Sequence, residues 1–313
     1  MPRCPVLNLS IIIPTYDEQD NVEPLYQALM ATVPGLGQSF EIIFVDDGSR
    51  DQTFARLTAL AAQDSRVRVI KLRRNCGQAP AMAAGIDHAR GRVLVTMDAD
   101  LQNDPADIGG LLAKLEEGYD LVVGWRHDRQ DRWLSRKLPS LIANRLIAWI
   151  TGVDVKDNGC TIKAFRADLI RQVRLYGELH RFIPAMTSTV GCQLAEVKVR
   201  HHPRRFGRSK YGLSRIYKVL LDIVTIKTLM VFARRPLFCF FSIAAAALLA
   251  SALFTALSIL FIGESVVVFM SIAILGGSLA LFLGFAGVIS SLVSQYGGDR
   301  LLPLQPTTGD DRR

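Results

Sequence analysis

The sequence lacks both glycine-built phosphate cradles. No Gly-x-Gly-x-x-Gly follows its first strand-like run, and Gly-x-x-x-x-Gly-Lys occurs nowhere. Dinucleotide oxidoreductases and P-loop enzymes use such loops, whose backbone amides hold phosphate, so both classes are poor candidates. Cysteine is scarce: five residues, at 4, 76, 160, 192 and 239, with no Cys-x-x-Cys pair. An odd count without that spacing argues for reduced thiols, against zinc and against a disulfide framework. His180, His201 and His202 show no ligand spacing with each other or with cysteine and read as loop or surface residues. The first residues run straight into Leu9-Ser-Ile-Ile-Ile13 and carry no signal-peptide pattern.

Charge is missing in two places. Residues 236–263 are 28 uncharged positions, and after Glu264 residues 265–298 are 34 more. Each run exceeds the roughly 20 apolar residues that cross a bilayer, which predicts a two-helix hairpin with a short turn at Gly263-Glu264. Acid is nearly absent just before it. Residues 198–235 hold 11 Lys or Arg against one acid, Asp222, a local net of +10 in a chain whose total is +8. Lys227, Arg234 and Arg235 beside the first span put the N-terminal part, and the returning tail, on the cytoplasmic side. In residues 214–232 the polar positions Arg215, Lys218, Asp222 and Thr225 recur every three or four residues, which predicts an amphipathic helix lying in the membrane interface. The basic stretch suits anionic lipid headgroups. It lacks aromatic interleaving suited to base stacking and abuts a span, so it does not suit nucleic acid.

What is present is an α/β pattern. Strand-like runs at 9–14, 41–45, 67–72, 93–97 and 120–124 alternate with helical runs at 21–32, 51–64, 79–89 and 108–117. This spacing predicts a mostly parallel, Rossmann-like sheet with helices on both faces. Beyond it come a helix over 134–150, a strand over 161–165, a helical stretch over 181–191 and a strand over 196–200. The polar loops follow strand ends and gather on one edge of the sheet.

The most informative stretch is Val93-Leu-Val-Thr-Met-Asp-Ala-Asp-Leu-Gln102. A buried strand ends in Asp98 and Asp100, one residue apart around Ala99, with the amide of Gln102 two further on. Asp104 is the expected N-cap of the next helix and Pro105 its first residue. Oxygen donors so spaced suit Mg²⁺ or Mn²⁺ shared with a diphosphate. Taken alone they equally fit an Asp-rich turn, and the other motifs decide. These are Ile13-Pro-Thr-Tyr-Asp-Glu18, Val45-Asp-Asp-Gly-Ser49, Gly124-Trp-Arg126, Asp157-Asn-Gly-Cys160 and Arg208-Ser-Lys-Tyr211.

Together these motifs resemble the family 2 glycosyltransferases of GT-A fold, in particular the polyprenyl-phosphate glycosyltransferases, the group of the dolichol-phosphate mannose synthases. The resemblance spans about residues 9–212. It implies a GT-A domain over 1–213, the interfacial helix over 214–235, a transmembrane hairpin over 236–296 and a cytoplasmic tail over 297–313. It also implies roles. Pro14, Tyr16 and Glu18 match donor base and ribose contacts. Val45 and Asp47 match nucleotide contacts, with Asp46 in the same cluster. Asp98, Asp100 and Gln102 match the ligands of metal and diphosphate. Arg126, Arg136 and Ser140 match residues that hold acceptor phosphate and donor. Arg208, Ser209 and Lys210 match a further phosphate-binding segment. Asp17 stands where the family often has Asn.

The expected reaction is inverting transfer from a nucleotide sugar, UDP-linked in preference to GDP-linked, to undecaprenyl or dolichyl phosphate at the cytoplasmic face of the cell membrane. Asp100, Arg126, Arg136 and Asp157 are the expected catalytic residues. Asp157 has three open roles: orienting the acceptor or sugar hydroxyls, acting as a weak base, or capping the turn at Asn158-Gly159. A homo-oligomer is expected from the same resemblance. A processive polysaccharide synthase fits less well. Its Gln-x-x-Arg-Trp motif is approached only by Gln130-Asp-Arg-Trp133, one residue short and placed before Asp157. A membrane-anchored binding protein without activity would have no need of intact Asp98, Asp100 and Gln102.

Overall fold

Strand β1 (Leu9–Thr15) is buried along nearly its whole length, as a strand with neighbours on both edges and helices on both faces must be. In this computed structural model, which describes residues 7–127, 138–173, 179–188, 191–203, 228, 236–260 and 265–297, it pairs in parallel with β2 (Phe40–Asp46) and β4 (Val93–Thr96). Strand β3 (Val67–Lys71) adds to the far side of β2. On the other side, β6 (Lys163–Arg166) enters antiparallel between β4 and β5 (Leu121–Arg126), and β7 (Leu194–Val199) closes the edge parallel to β5. The order is β3-β2-β1-β4-β6-β5-β7. Six strands point one way and only β6 is reversed, so the loop leading into β6 lies at the same edge as the ends of the other six.

Helices α1 (Gln19–Thr32), α2 (Thr53–Gln63), α3 (Gln78–His88) and α4 (Ile108–Glu116) cover the sheet. One face packs Ile11, Ile13, Phe44 and Val95 against Leu25, Leu57 and Leu111. The other packs Ile12, Ile43, Leu94 and Phe165 against Met82 and Ile86 of α3. Each such side chain contributes about 1.5–3 kcal/mol on burial. Gly85 is required for this second contact, because a Cβ there would stand 2.3 Å from Ile12 Cγ2.

Several expected boundaries shift. Asp104 does cap, accepting from the amide of Ala106 at 2.9 Å, but it caps the 3₁₀ turn Pro105–Asp107, and α4 begins only at Ile108. The strand expected from 161 starts at Lys163, because Thr161 is taken up by the site described below. The helix expected over 181–191 is a 3₁₀ turn, Leu179–Phe182, followed by the short α7 (Ile183–Ser188). Between these lie α5 (Leu138–Thr151) and α6 (Ala167–Ile170). Apart from Thr228, which is helical, the expected interfacial helix over 214–232 lies outside the described residues, as do the segment Arg208-Ser-Lys210, Arg136 and the side chain of Ser140.

The chain divides into two compact units near residue 224. In the second, α8 (Pro236–Leu260) and α9 (Ser265–Gly297) pack on each other. Ser251 Oγ donates to the carbonyl of Ala273 at 2.6 Å, and Phe254 stacks on Phe269 with centroids 6.2 Å apart. Small residues allow the close approach, as in membrane helix pairs. Both helices are long and apolar enough to cross a membrane. Their outer faces expose Leu249, Ile259, Phe282 and Phe285 by about 70%. A water-soluble core helix would bury such residues, so this is a membrane protein.

Candidate active site

The strand ends bring the polar loops to one edge. The loops after β1 and β2 are stitched by backbone donors: Asp17 N to Ser49 Oγ at 3.0 Å, Arg50 N to Asp17 Oδ1 at 2.8 Å and Glu18 N to Thr53 Oγ1 at 2.8 Å. Asp17 takes a positive φ of 49°, a conformation that Asp and Asn tolerate better than most residues. Pro14, Tyr16 and Glu18 are half-buried here. The Val45 side chain lies in the core, and its carbonyl accepts from the Thr15 hydroxyl at 3.1 Å.

Asp46 ends β2 and Asp47 follows it, both buried. Asp47 accepts from the amides of Cys76 and Gly77 at 2.7 and 2.8 Å, which clamps the loop before α3. Burial still holds its carboxyl above the usual carboxylate range; the two amides oppose that and the Asp46 charge adds to it. Asp46 Oδ1 accepts from Ser49 N, while Asp46 Oδ2 is buried with no hydrogen-bond partner among the described residues.

Asp98 is held on both oxygens. Gln78 Nε2 donates to Oδ1 and Thr161 Oγ1 to Oδ2, each at 2.7 Å. Asn103 Nδ2 donates in turn to Thr161 Oγ1 at 2.9 Å. Burial, then the Asp100 carboxylate, pushes Asp98 well above the usual range, with Thr161 opposing. Asp100 is 6% exposed and accepts from Gln102 N at 3.2 Å. Ala99 between them is buried in the core. Leu101 adopts a left-handed φ of 61°, its side chain packed against the core. The Gln102 side-chain amide sits 3.5 Å from His201 Nε2 and 3.4 Å from the carbonyl of His202.

Arg126, at the end of β5, grips Asp157 through Nε at 2.7 Å and Nη2 at 2.9 Å. Burial alone would lower its pKa, but the Asp157 carboxylate raises it, so the guanidinium stays charged. Gly159 leaves room for Arg126 Nη2, which would stand 3.3 Å from a Cβ there. Lys163 is fully buried beneath, donating to the carbonyl of Cys160, and burial lowers its pKa to about 8. Burial pushes the Cys160 thiol up to about 11, an inert thiol.

Of the residues expected from the motifs, those among the described residues lie at this edge of the sheet, with one rearrangement: Arg126 and Asp157, expected to act separately, form a bidentate pair. Sequence reasoning missed Gln78, Thr161, Asn103 and Lys163. Asp98, held above the usual carboxylate range beside the Asp100 charge, is part of a donor set that a hard divalent cation relieves. Among the described residues no three His, Cys, Asp or Glu side chains cluster into a complete metal cage.

Comparison with known proteins agrees with this geometry. The family model described as glycosyl transferase family 2 matches residues 10–174. A dodecaprenyl-phosphate galacturonate synthase of Rhizobium johnstonii is 44% identical over 234 residues, covering 74% of this chain and 69% of that protein. An undecaprenyl-phosphate 4-deoxy-4-formamido-L-arabinose transferase of Edwardsiella ictaluri is 39% identical over 222 residues, covering 70% and 68%. Among solved structures, glucosyl-3-phosphoglycerate synthase from Mycobacterium tuberculosis, in complex with Mn²⁺, UDP-glucose and phosphoglyceric acid, superposes with a TM-score of 0.53 at 18% identity. It covers 71% of this chain and 80% of that one. At that identity the likeness is one of fold, the GT-A fold.

Proposed function

The chain belongs to glycosyl transferase family 2, and on that premise we propose that it moves a sugar from a nucleotide sugar to a polyprenyl phosphate at the cytoplasmic face of the inner membrane. The observation that carries this reading is the juxtaposition of Asp98 and Asp100 with the buried Arg126–Asp157 pair at one sheet edge, in a chain that ends in two membrane helices. The domain boundaries at 213, 235 and 296, and a homo-oligomeric assembly, belong to the same reading.

The nucleotide lies across the ends of β1 and β2, against Pro14, Tyr16, Glu18 and the carboxylates Asp46 and Asp47. Asp98, Asp100 and Gln102 hold Mg²⁺ or Mn²⁺. When bound, such an ion offsets the charge that gathers on a leaving diphosphate. The acceptor phosphate has a second pKa of about 6, so it is already ionised and needs no strong base. Its oxygen forms the new bond to the anomeric carbon as the bond to the nucleoside diphosphate breaks, with inversion. The obstacle is repulsion between two anions. Arg126 answers it, its plane fixed by Asp157 through Nε and Nη2, with Nη1 outside that pair. Asp157 thereby orients an arginine, which requires no proton transfer from it. Arg136, Ser140, Arg208, Ser209 and Lys210 complete the grip on the acceptor in this reading.

UDP-sugars are the preferred donors. The test is nucleoside diphosphate release by the purified chain in detergent, with a panel of UDP- and GDP-sugars, Mg²⁺ or Mn²⁺ and a short polyprenyl phosphate. Release that requires both the lipid phosphate and the cation is expected. Release unaffected by omitting the lipid phosphate would overturn the acceptor.

A further inference from the structure

Asp98 and Asp157 are both carboxylates at the working edge, yet they are held in opposite ways. Asp157 meets a guanidinium, so its charge is cancelled in place. Among the described residues Asp98 accepts hydrogen bonds only from neutral donors: the Gln78 amide on one oxygen and the Thr161 hydroxyl on the other, both at 2.7 Å. The direction of the second bond is set. Asn103 Nδ2 donates to Thr161 Oγ1 at 2.9 Å, which leaves that hydroxyl's proton for Asp98. Thr161 is pinned through its backbone as well, since Thr96 Oγ1 donates to its carbonyl at 2.8 Å. Asn103 and Thr161 are buried. Four segments therefore converge on one side chain: the start of α3, the end of β4, the turn before α4 and the lead-in to β6.

Neutral donors fix a carboxylate's plane without neutralising it. A carboxylate has about four lone-pair sites, and two donors leave room for a cation. We propose that Gln78 and Thr161, the latter aimed by Asn103, are positioning residues that set the Asp98 carboxylate for a divalent cation. The inference rests on the reading that Asp98 and Asp100 hold such a cation. Residues that orient a metal ligand in this way alter metal affinity by roughly 10–100-fold when removed.

The experiment is Mn²⁺ titration of the full-length chain in detergent with UDP present, following free Mn²⁺ by electron paramagnetic resonance. UDP affinity without metal and melting temperature are measured alongside. Gln78→Met and Thr161→Val are expected to weaken Mn²⁺ binding roughly 10–100-fold. Thr161→Ser, which restores the hydroxyl, is expected to bind like the unaltered protein. Metal-free UDP affinity should stay unchanged in all three, which a merely structural role would not predict. If Gln78→Met and Thr161→Val bind Mn²⁺ normally while Asp100→Asn does not, the positioning role is wrong and the metal reading stands. If Asp100→Asn also binds normally, the metal reading itself fails. Should Thr161→Val not fold, Gln78→Met decides alone, because Gln78 is half-buried at a helix start.

Discussion

The two edges of the sheet handle buried carboxylates differently. At the edge where β1 and β2 begin, Glu41 is 3% exposed. It accepts from Ser10 Oγ and the amide of Arg90 on one oxygen and from Arg68 Nη1 on the other, all at 2.7 Å. Burial alone would raise its pKa, but the Ser10, Arg68 and Arg90 bonds outweigh burial and hold it below the usual range. At the edge where these strands end, Asp47 and Asp98 are held above that range, and Asp46 keeps a buried oxygen without a partner. One edge is finished by folding; the other is left for a ligand to finish. The contrast separates stability from activity within one sheet.

The sharpest way to break this contrast is Asp100→Asn. Turnover should fall by at least ~10²–10³-fold in a nucleoside diphosphate release assay, as when a charge-stabilising group is removed. Its melting temperature should hold or rise, since a like charge beside Asp98 is gone. A clear loss of stability would mean that the working edge is structural after all. The converse is Glu41→Ala. Leaving Arg68 and Ser10 without their acceptor should cost about 2–4 kcal/mol in chemical denaturation. Turnover per folded molecule should be unchanged.

Asp157→Asn should have a smaller effect. The Arg126 plane loses its charged anchor, and acceptor KM should rise roughly tenfold, about 1.4 kcal/mol, with little change in metal-free nucleotide binding. The smallest expected effect is in acid. Glu41 has a lowered folded pKa, so its stabilisation is present above its unfolded value of about 4.3 and fades as pH falls through the folded one. Asp47 has a raised folded pKa, so its contribution is full below its unfolded value and is lost as pH rises through the folded one. Glu41→Gln should therefore flatten a curve of melting temperature against pH below pH ~4.3, and Asp47→Asn should steepen it above pH ~3.9. Equal slopes in both variants would erase the distinction between the edges.

The alternation of strands and helices was legible because each is a local pattern of apolar spacing. The paired aspartates, the two spans and the family were legible because they are short motifs or unbroken runs. Gln78 and Thr161 were not, because nothing near either residue reports the other. Thr161 reaches Asp98 only because β6 inserts backwards between β4 and β5, a long-range choice of topology. The Arg126–Asp157 pair was hidden for the same reason. The two residues stand 31 positions apart, and each looked like a separate ligand contact. Asp104 was read correctly as a cap, but local signals did not separate a 3₁₀ turn from the helix it precedes.

Leu101 sits in a backbone conformation that costs a leucine about 1–2 kcal/mol and a glycine almost nothing. Its side chain, anchored in the core, is what holds the aspartate turn in that shape. Glycine there would relieve the strain but give up the leucine's packing, which is worth about as much or more. Strain and packing are thus set against each other at the one turn that carries both aspartates, and hardening this scaffold against heat has to be sought elsewhere in the chain.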